Sequence, residues 1–261
     1  MAAPMGGACS KGCWKRSADP VRARPSDACA DCPVRDQAIC AALDADELDA
    51  LSAIGDHRSY ARGETIFAAG DDSIACATLI SGAAKLSSFD AQGVERIVGL
   101  VHPAGFLGQL FAATTGHDAV ALTNTRLCVF PRAGFERLMA EHPKLTRSIL
   151  ERTIAELKAS QELTELIGRR DVKARLSGLI LALARAASAS PCGMASEFDL
   201  ILSREEMAGL IGTTIESVSR RLTELERDGI IERKGARGLI IRDAPALSLP
   251  TSSLGESATR P

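Results

Sequence analysis

The sequence predicts an α+β chain: antiparallel strands first, then a long helix, then a winged helix-turn-helix. Three observations predict it. Between about 60 and 131, turn residues recur at intervals of about 8–12, the spacing of short strands in a sandwich or barrel. Residues 144–169 carry apolar side chains at helical spacing. Residues 203–228 carry two capping signals around a Gly-containing turn, the pattern of a helix-turn-helix.

The elements follow in order. Residues 1–42 are rich in Cys, Gly, Ala, Pro and Arg with little apolar periodicity, so an irregular segment is expected there, ordered only if something ties it down. Leu43, Leu48, Leu51 and Ile54 share a helical face, and Gly55 can stop that helix. Arg62-Gly63-Glu64, Gly70-Asp71-Asp72, Ser81-Gly82 and Pro103-Ala104-Gly105 then separate apolar pieces such as Ala77–Ile80, Ile97–Val101 and Leu127–Phe130. The strand region is expected over 43–143 together with its leading helix. In the long helix, 144–170, Leu150, Ile154, Leu157, Gln161 and Thr164 form a stripe, widened near its end by Leu163, Leu166 and Ile167. Such a stripe is buried against its own domain or serves as a dimer seam. A helix over 171–187 follows. Ser203-Arg204-Glu205-Glu206 is a capping box, Ile211-Gly212-Thr213 the turn, and Thr214 the cap of a helix running to Asp228-Gly229. Ile230–Glu232 and Leu239–Arg242 suggest a two-stranded wing that completes a unit over 171–243, and 244–261 is expected to be a flexible Pro/Ser-rich tail.

Composition excludes several classes. A chain 46% hydrophobic and 25% charged is neither disordered nor fibrous. No apolar run approaches the roughly 18 residues of a membrane span, and Met1 to Ser10 lack the charged start and apolar stretch of a secretory signal. A cytoplasmic protein with no membrane partner is expected. The net charge of −2 argues against a nucleic-acid partner only until it is divided. Residues 41–142 hold 7 basic and 13 acidic side chains, whereas 143–242 hold 17 and 14, so an acidic middle precedes a mildly basic end. There is no dinucleotide fingerprint and no nucleophile–base constellation, and His57, His102, His117 and His142 are scattered singly, so an enzyme is not expected.

Five of the eight cysteines lie in the first 40 residues. In a reducing compartment such clustering favours metal or redox chemistry over disulfides. Cys29-Ala30-Asp31-Cys32 with Cys40 gives C-x2-C-x7-C, whose short step lets two thiolates reach one centre. Zinc, an iron–sulfur cluster and a metal-free set of thiols all satisfy that pattern, and a [4Fe-4S] cluster would need a fourth thiolate from elsewhere. Cys9 and Cys13 form a weaker pair not expected to ligate, Cys76 sits in an apolar strand as a small hydrophobe, and Cys192 is uninformative.

In the second helix of the pair, Thr214, Glu216, Ser217, Ser219 and Arg220 occupy the end that would meet base edges in the major groove. Arg220 can donate twice to guanine and Glu216 can accept from cytosine. Ile215, Val218 and Leu222 are placed on the buried face. A solvated helix face with a Glu216···Arg220 ion pair would satisfy the same spacing.

In this order the residues resemble the CRP/FNR superfamily of bacterial transcription regulators, over about 29–242. Gly63-Glu64-Thr65-Ile66 through Gly70-Asp71, and Leu79-Ile80-Ser81-Gly82, look like that family's effector-domain signatures, and Gly229-Ile230-Ile231 like its lead into the wing. The resemblance implies a cyclic-nucleotide-binding-like β-sandwich (a jelly roll) as sensor, a dimerisation helix and a DNA-binding homodimer. The cyclic-AMP branch holds its ligand with Gly-Glu and Arg-Ser, where this chain has Gly108-Gln109 and Asp118-Ala119. A carboxylate in place of the phosphate-binding Arg would repel the ligand.

The FNR branch has an N-terminal cysteine cluster and one cysteine in the sandwich, here Cys128. By this resemblance Cys29, Cys32, Cys40 and Cys128 hold a [4Fe-4S] cluster. Glu216, Ser219 and Arg220 match its Glu-x-x-Ser-Arg, implying TTGAT-type half-sites in an inverted repeat. The seven residues between Cys32 and Cys40 depart from the five of the best-known members and resemble FnrL-like ones. The implied function is an oxygen-responsive regulator, mainly an activator without oxygen, with RNA polymerase met by the loop Asp90–Arg96 and by residues 188–198. The alternative is a regulator of the same fold that senses a small molecule, with zinc or structural cysteines.

Overall fold

The computed structural model describes residue 29 and residues 31–188 and 193–248. Cys9, Cys13 and Cys192 lie outside the described residues. From Cys32 the chain winds through successive turns into a short 3-10 helix, Ile39–Ala42, which carries Cys40. Helix α1 (Ala45–Ile54) starts where Asp44 accepts the Glu47 N–H and Glu47 reaches back to the Asp44 N–H, and it stops at Gly55.

Eight strands follow: β1 (Asp56–Tyr60), β2 (Thr65–Phe67), β3 (Ala75–Ser81), β4 (Ala84–Phe89), β5 (Glu95–Val101), β6 (Phe106–Leu107), β7 (Asp118–Ala121) and β8 (Thr125–Pro131). They form two four-stranded antiparallel sheets, ordered β1-β8-β3-β6 and β2-β7-β4-β5. Strand periodicity assigns the faces. Ala75, Ala77 and Leu79 of β3, with Leu127 and Val129 of β8, enter the core between the sheets. The alternate residues, Cys76, Ile80, Cys128 and Phe130, turn outward onto the face covered by the N-terminal segment and the helices. That second cover explains why β3 is buried along nearly its whole length.

Helix α2 (Arg132–Glu141) leads into α3 (Pro143–Ile167). Pro143 opens α3, where its missing N–H costs nothing. The helix ends two residues short of the expected 169. Helix α4 is Val172–Ala186, capped by Asp171. After it come β9 (Glu197–Asp199), α5 (Arg204–Ile211), α6 (Ile215–Arg227), β10 (Ile231–Lys234) and β11 (Gly238–Ile241). The wing is three-stranded, in the order β10-β11-β9, because Phe198 of β9 is buried opposite Leu239. The expected tail from residue 244 is corrected at its start. Ala244–Ser248 is a helix, α7, with Leu247 in the core beside α4.

The helical half and the sandwich share one apolar cluster. Ala83 and Leu122 of the sandwich join Leu176, Ile180, Met207, Leu222 and Leu239, with Ile97 and Leu100 packed against them. Above this contact Lys85 of β4, only 8% exposed, donates to Glu95 at 2.7 Å and to Glu206 of α5 at 3.0 Å. Burial lowers the Lys85 pKa, but the two carboxylates outweigh it and hold the pKa above the ordinary lysine value.

Candidate functional site

Cys128 stands on the outer face of the first sheet, opposite His57 of β1 on one side and Thr78 of β3 on the other. The N-terminal segment folds over this row. The Cys32 N–H faces the Cys29 carbonyl at 3.5 Å, Arg35 donates to Cys32 at 3.1 Å and Ala38 to Val34 at 2.8 Å, and Leu43 closes on Cys40 at 3.2 Å. The winding brings Cys29, Cys32, Cys40 and Cys128 to the wall of a single cavity, otherwise largely apolar through Val34, Leu48, Leu51, Ile80 and Phe130. All four are free thiols.

Burial raises the Cys40 pKa to about 11, with the Cys32 and Cys29 charges adding to it and Arg35 opposing. Burial likewise pushes the Cys128 thiol well up, and Cys29, Cys40 and Cys32 push in the same direction. The four sulfurs are thus within electrostatic reach of one another. A metal centre there must displace protons from buried thiols.

The donor set fits a cluster. Four thiols on one cavity wall are the donor set that a [4Fe-4S] centre takes, one thiolate to each iron, and a four-thiolate zinc would take the same donors. Gly55 adds a cradle: a Cβ there would stand 3.0 Å from the Phe130 ring and 3.3 Å from Cys128 Sγ. Thr78, 4% exposed on the cavity wall, has a hydroxyl with no hydrogen-bond partner among the described residues. Neither Gly55 nor Thr78 was singled out as a site residue by cysteine spacing. Cys76, by contrast, is fully buried away from this cavity, as a small hydrophobe.

The cavity is tied to the long helix. Ile39, beside Cys40, is in one apolar cluster with Leu145 and Ile149 of α3, and Lys144 pairs with Asp44 at 2.7 Å. Beyond that anchorage Leu150, Ile154 and Leu157 are each nearly 60% exposed. Gln161 and Thr164 are exposed on the same helix, Thr164 bonding back to the Ser160 carbonyl. Leu163 and Leu166 turn instead into the core of the helical half. The expected stripe therefore divides into an outward face and an inward end.

In the helix pair, Ser203 and Glu206 form the capping box, and Gly212 is left-handed at φ 62°. Thr214 caps α6 by accepting the Ser217 N–H at 3.3 Å. Glu216 and Arg220 are exposed, and Ser217 and Ser219 half-buried. Arg220 Nη2 donates to Ser217 Oγ at 3.4 Å and Arg204 Nη1 to Ser219 Oγ at 3.3 Å, so short side chains hold the two arginines above the surface. Backbone and Thr214 hydrogen bonds, helped by Arg220, keep the Glu216 carboxyl below its ordinary pKa. Val218 and Leu222 are buried as expected. Ile215 is not: it is 43% exposed at the first turn, where α6 overhangs the core, and joins the outward face.

Residues 57–142 match the cyclic nucleotide-binding domain family, and residues 174–249 the Crp-like helix-turn-helix domain family. The chain is 37% identical over 218 residues, 82% of its length, to the transcriptional activator protein FnrL of Cereibacter sphaeroides, of which 88% is covered. This chain belongs to the CRP/FNR family. It is 33% identical over 203 residues to the nitrogen fixation regulation protein FixK of Bradyrhizobium diazoefficiens, covering 78% of this chain and 85% of that one. The solved structure of FixK2 from Bradyrhizobium japonicum shares the fold with a TM-score of 0.67 at 23% identity, over 74% of this chain and 96% of that one. This CRP/FNR member is accordingly a DNA-binding transcription regulator, related to activators and not to enzymes. Among the described residues no helix is long and apolar enough to cross a membrane.

The residues at the positions that resemble the cyclic-AMP branch's ligand contacts bond within the chain. Asp118 accepts the Ala69 N–H at 2.9 Å and Gln109 the Gly116 N–H at 3.1 Å. Gly108 serves the backbone: at φ 104° it passes so near β3 that a Cβ would stand 2.8 Å from Cys76 Cα.

Proposed function

We propose that this regulator responds to oxygen through a [4Fe-4S] cluster held by Cys29, Cys32, Cys40 and Cys128, and binds TTGAT-type inverted repeats as a homodimer, mainly as an activator without oxygen. The observation that carries the proposal is the shared cavity that joins Cys128 of the sheet to three cysteines of the N-terminal segment. When bound, the cluster supplies an oxygen-labile link between those two parts of the chain.

The rest is done by the chain. Cys29, Cys32 and Cys40 hold the N-terminal turns against Cys128. Ile39 transmits that position to the start of α3 through Leu145 and Ile149. The exposed face of Leu150, Ile154, Leu157, Gln161 and Thr164 then pairs with the same face of a second copy. A cluster that binds better in the paired form shifts the population towards it. Pairing sets two α6 helices roughly 34 Å apart, one turn of DNA. There Arg220 and Glu216 read base edges while Thr214, Ser217 and Ser219 fix the register against them and the phosphates. The Asp90–Arg96 loop, held closed by the Gln92 and Val94 N–H groups donating to Asp90, and residues 188–198, of which 189–192 lie outside the described residues, are assigned to RNA polymerase in the cytoplasm.

Purification without oxygen tests the cluster: about four irons and four sulfides per chain with broad visible absorption are expected, and a colourless protein with one zinc overturns it. A binding assay on a TTGAT inverted repeat, with and without air, tests the switch; equal affinity in both overturns it. Unchanged oxygen-independent regulation by the double variant Cys29→Ala, Cys32→Ala would favour small-molecule sensing.

A further inference from the structure

We propose that Thr78 is a positioning residue of the metal centre, its hydroxyl donating a hydrogen bond to an anionic sulfur in the cavity shared by Cys29, Cys32, Cys40 and Cys128. The inference rests on the cluster reading above. Thr78 lies directly across from Cys128 in the β3–β8 register. The strand alternation that sends Ala77 and Leu79 into the sandwich sends Thr78 outward with Ile80, and both line the cavity. The residue is 4% exposed and its Oγ has no hydrogen-bond partner among the described residues.

A buried hydroxyl without a partner is a liability that folded chains rarely retain. Val would fill the same space on a strand at no such cost, so the polar atom calls for a partner that arrives later. Ile80, Val34, Ala38 and Phe130 on the cavity wall have side chains with no acceptor, and Ser52, His57 and Arg35, its other polar side chains, make no hydrogen bond with Thr78. Sulfur supplies one. A thiolate or a bridging sulfide carries negative charge, and hydrogen bonds to cluster sulfurs are among the levers that set reduction potential. The donor stabilises the more negative, reduced state, and its loss makes removal of an electron by oxygen easier.

The test compares full-length wild type, Thr78→Val and Thr78→Ser, all purified without oxygen. The Val variant is expected to hold wild-type iron and sulfide, yet to lose its visible absorption in air roughly threefold to tenfold faster, the scale of one charged hydrogen bond partly expressed in the rate. The Ser variant, which keeps the hydroxyl, is expected near the wild-type rate. Stripped of metal, the Val variant is expected to melt no lower than stripped wild type, because it has lost only an unpartnered group. Bleaching of Thr78→Val at the wild-type rate overturns the proposal. So does a lower melting temperature of its metal-free form, which would make the hydroxyl a structural group. Wild type without iron and sulfide would overturn the cluster reading itself, and that outcome is visible before any variant is compared.

Discussion

At the scale of single residues, the thiolates and the groups around them differ in how far they can be recognised in advance. Cys29, Cys32 and Cys40 stand out by spacing, and Cys128 by likeness to a family. Gly55 stands out only as a helix stop, because its second role, making room beside Cys128 Sγ and the Phe130 ring, depends on strands that follow it in the chain. Gly55→Ala is therefore expected to fold with a modest loss of stability, about 1 kcal/mol, but to release iron to a chelator faster than wild type; iron retained per chain under anaerobic chelator challenge checks this. In α6 the expectation concerns DNA. Arg220→Ala should cost roughly 1–3 kcal/mol of operator affinity, with little change on random DNA, as measured by anisotropy titrations on both.

At the scale of elements, polar punctuation was the most legible feature. Ser203 and Thr214 cap their helices as the sequence indicates, because a cap is decided within a few residues. Strand β9 and helix α7 lacked a signal of that kind. Three residues around Phe198, and a Pro-containing stretch with one buried leucine, become regular only where β11 and α4 receive them. Ile215 fails for a related reason: helical spacing gives a face, but the neighbours' extent decides where that face ends. The outward stripe of α3 carries the element-scale prediction. Leu157→Glu puts a carboxylate at the centre of the exposed apolar face, so it should leave the monomer's melting temperature within about 1 kcal/mol of wild type in stability terms. Sedimentation under anaerobic conditions should show a shift from dimer to monomer, with operator affinity falling together with it.

At the scale of the whole molecule, the split between an acidic middle and a basic end corresponds to two halves that nonetheless share a core. That sharing was invisible in the sequence, where Lys85 and Glu206 are 121 positions apart. Glu206 starts α5 through its capping box and also receives Lys85, and its carboxyl lies below the ordinary value: burial opposes this, but the Ser203 N–H and Lys85 prevail. A depressed carboxyl stabilises the fold above its unfolded pKa near 4.5, and that contribution is lost as pH falls through the lower folded value. A raised lysine stabilises below its unfolded pKa near 10.5, and that contribution is lost as pH rises through the higher folded value. The bridge between the halves is thus constant across neutral pH. Lys85→Met should remove about 1–3 kcal/mol of stability at pH 7 by depriving the half-buried Glu95 and Glu206 of their shared cation, with a smaller deficit below about pH 4.5; denaturant unfolding at both pH values checks it.

The turns between Cys32 and Cys40 give the spacing of the cysteines a different meaning. Arg35 closes on Cys32, Ala38 on Val34 and Leu43 on Cys40, so this stretch is coiled up, not paid out as slack. In a coil, two additional residues add about half a revolution and only a few ångströms of travel. The counted gap between cysteines is then an unreliable guide to the reach between sulfurs. A family using this device is free to vary the gap, provided that each change rotates the next cysteine back towards the same strand. Lengthening this gap by a full turn, about three or four residues that wind, should be harmless, whereas an equal insertion of Gly-Pro repeats, which do not wind, should unseat Cys40.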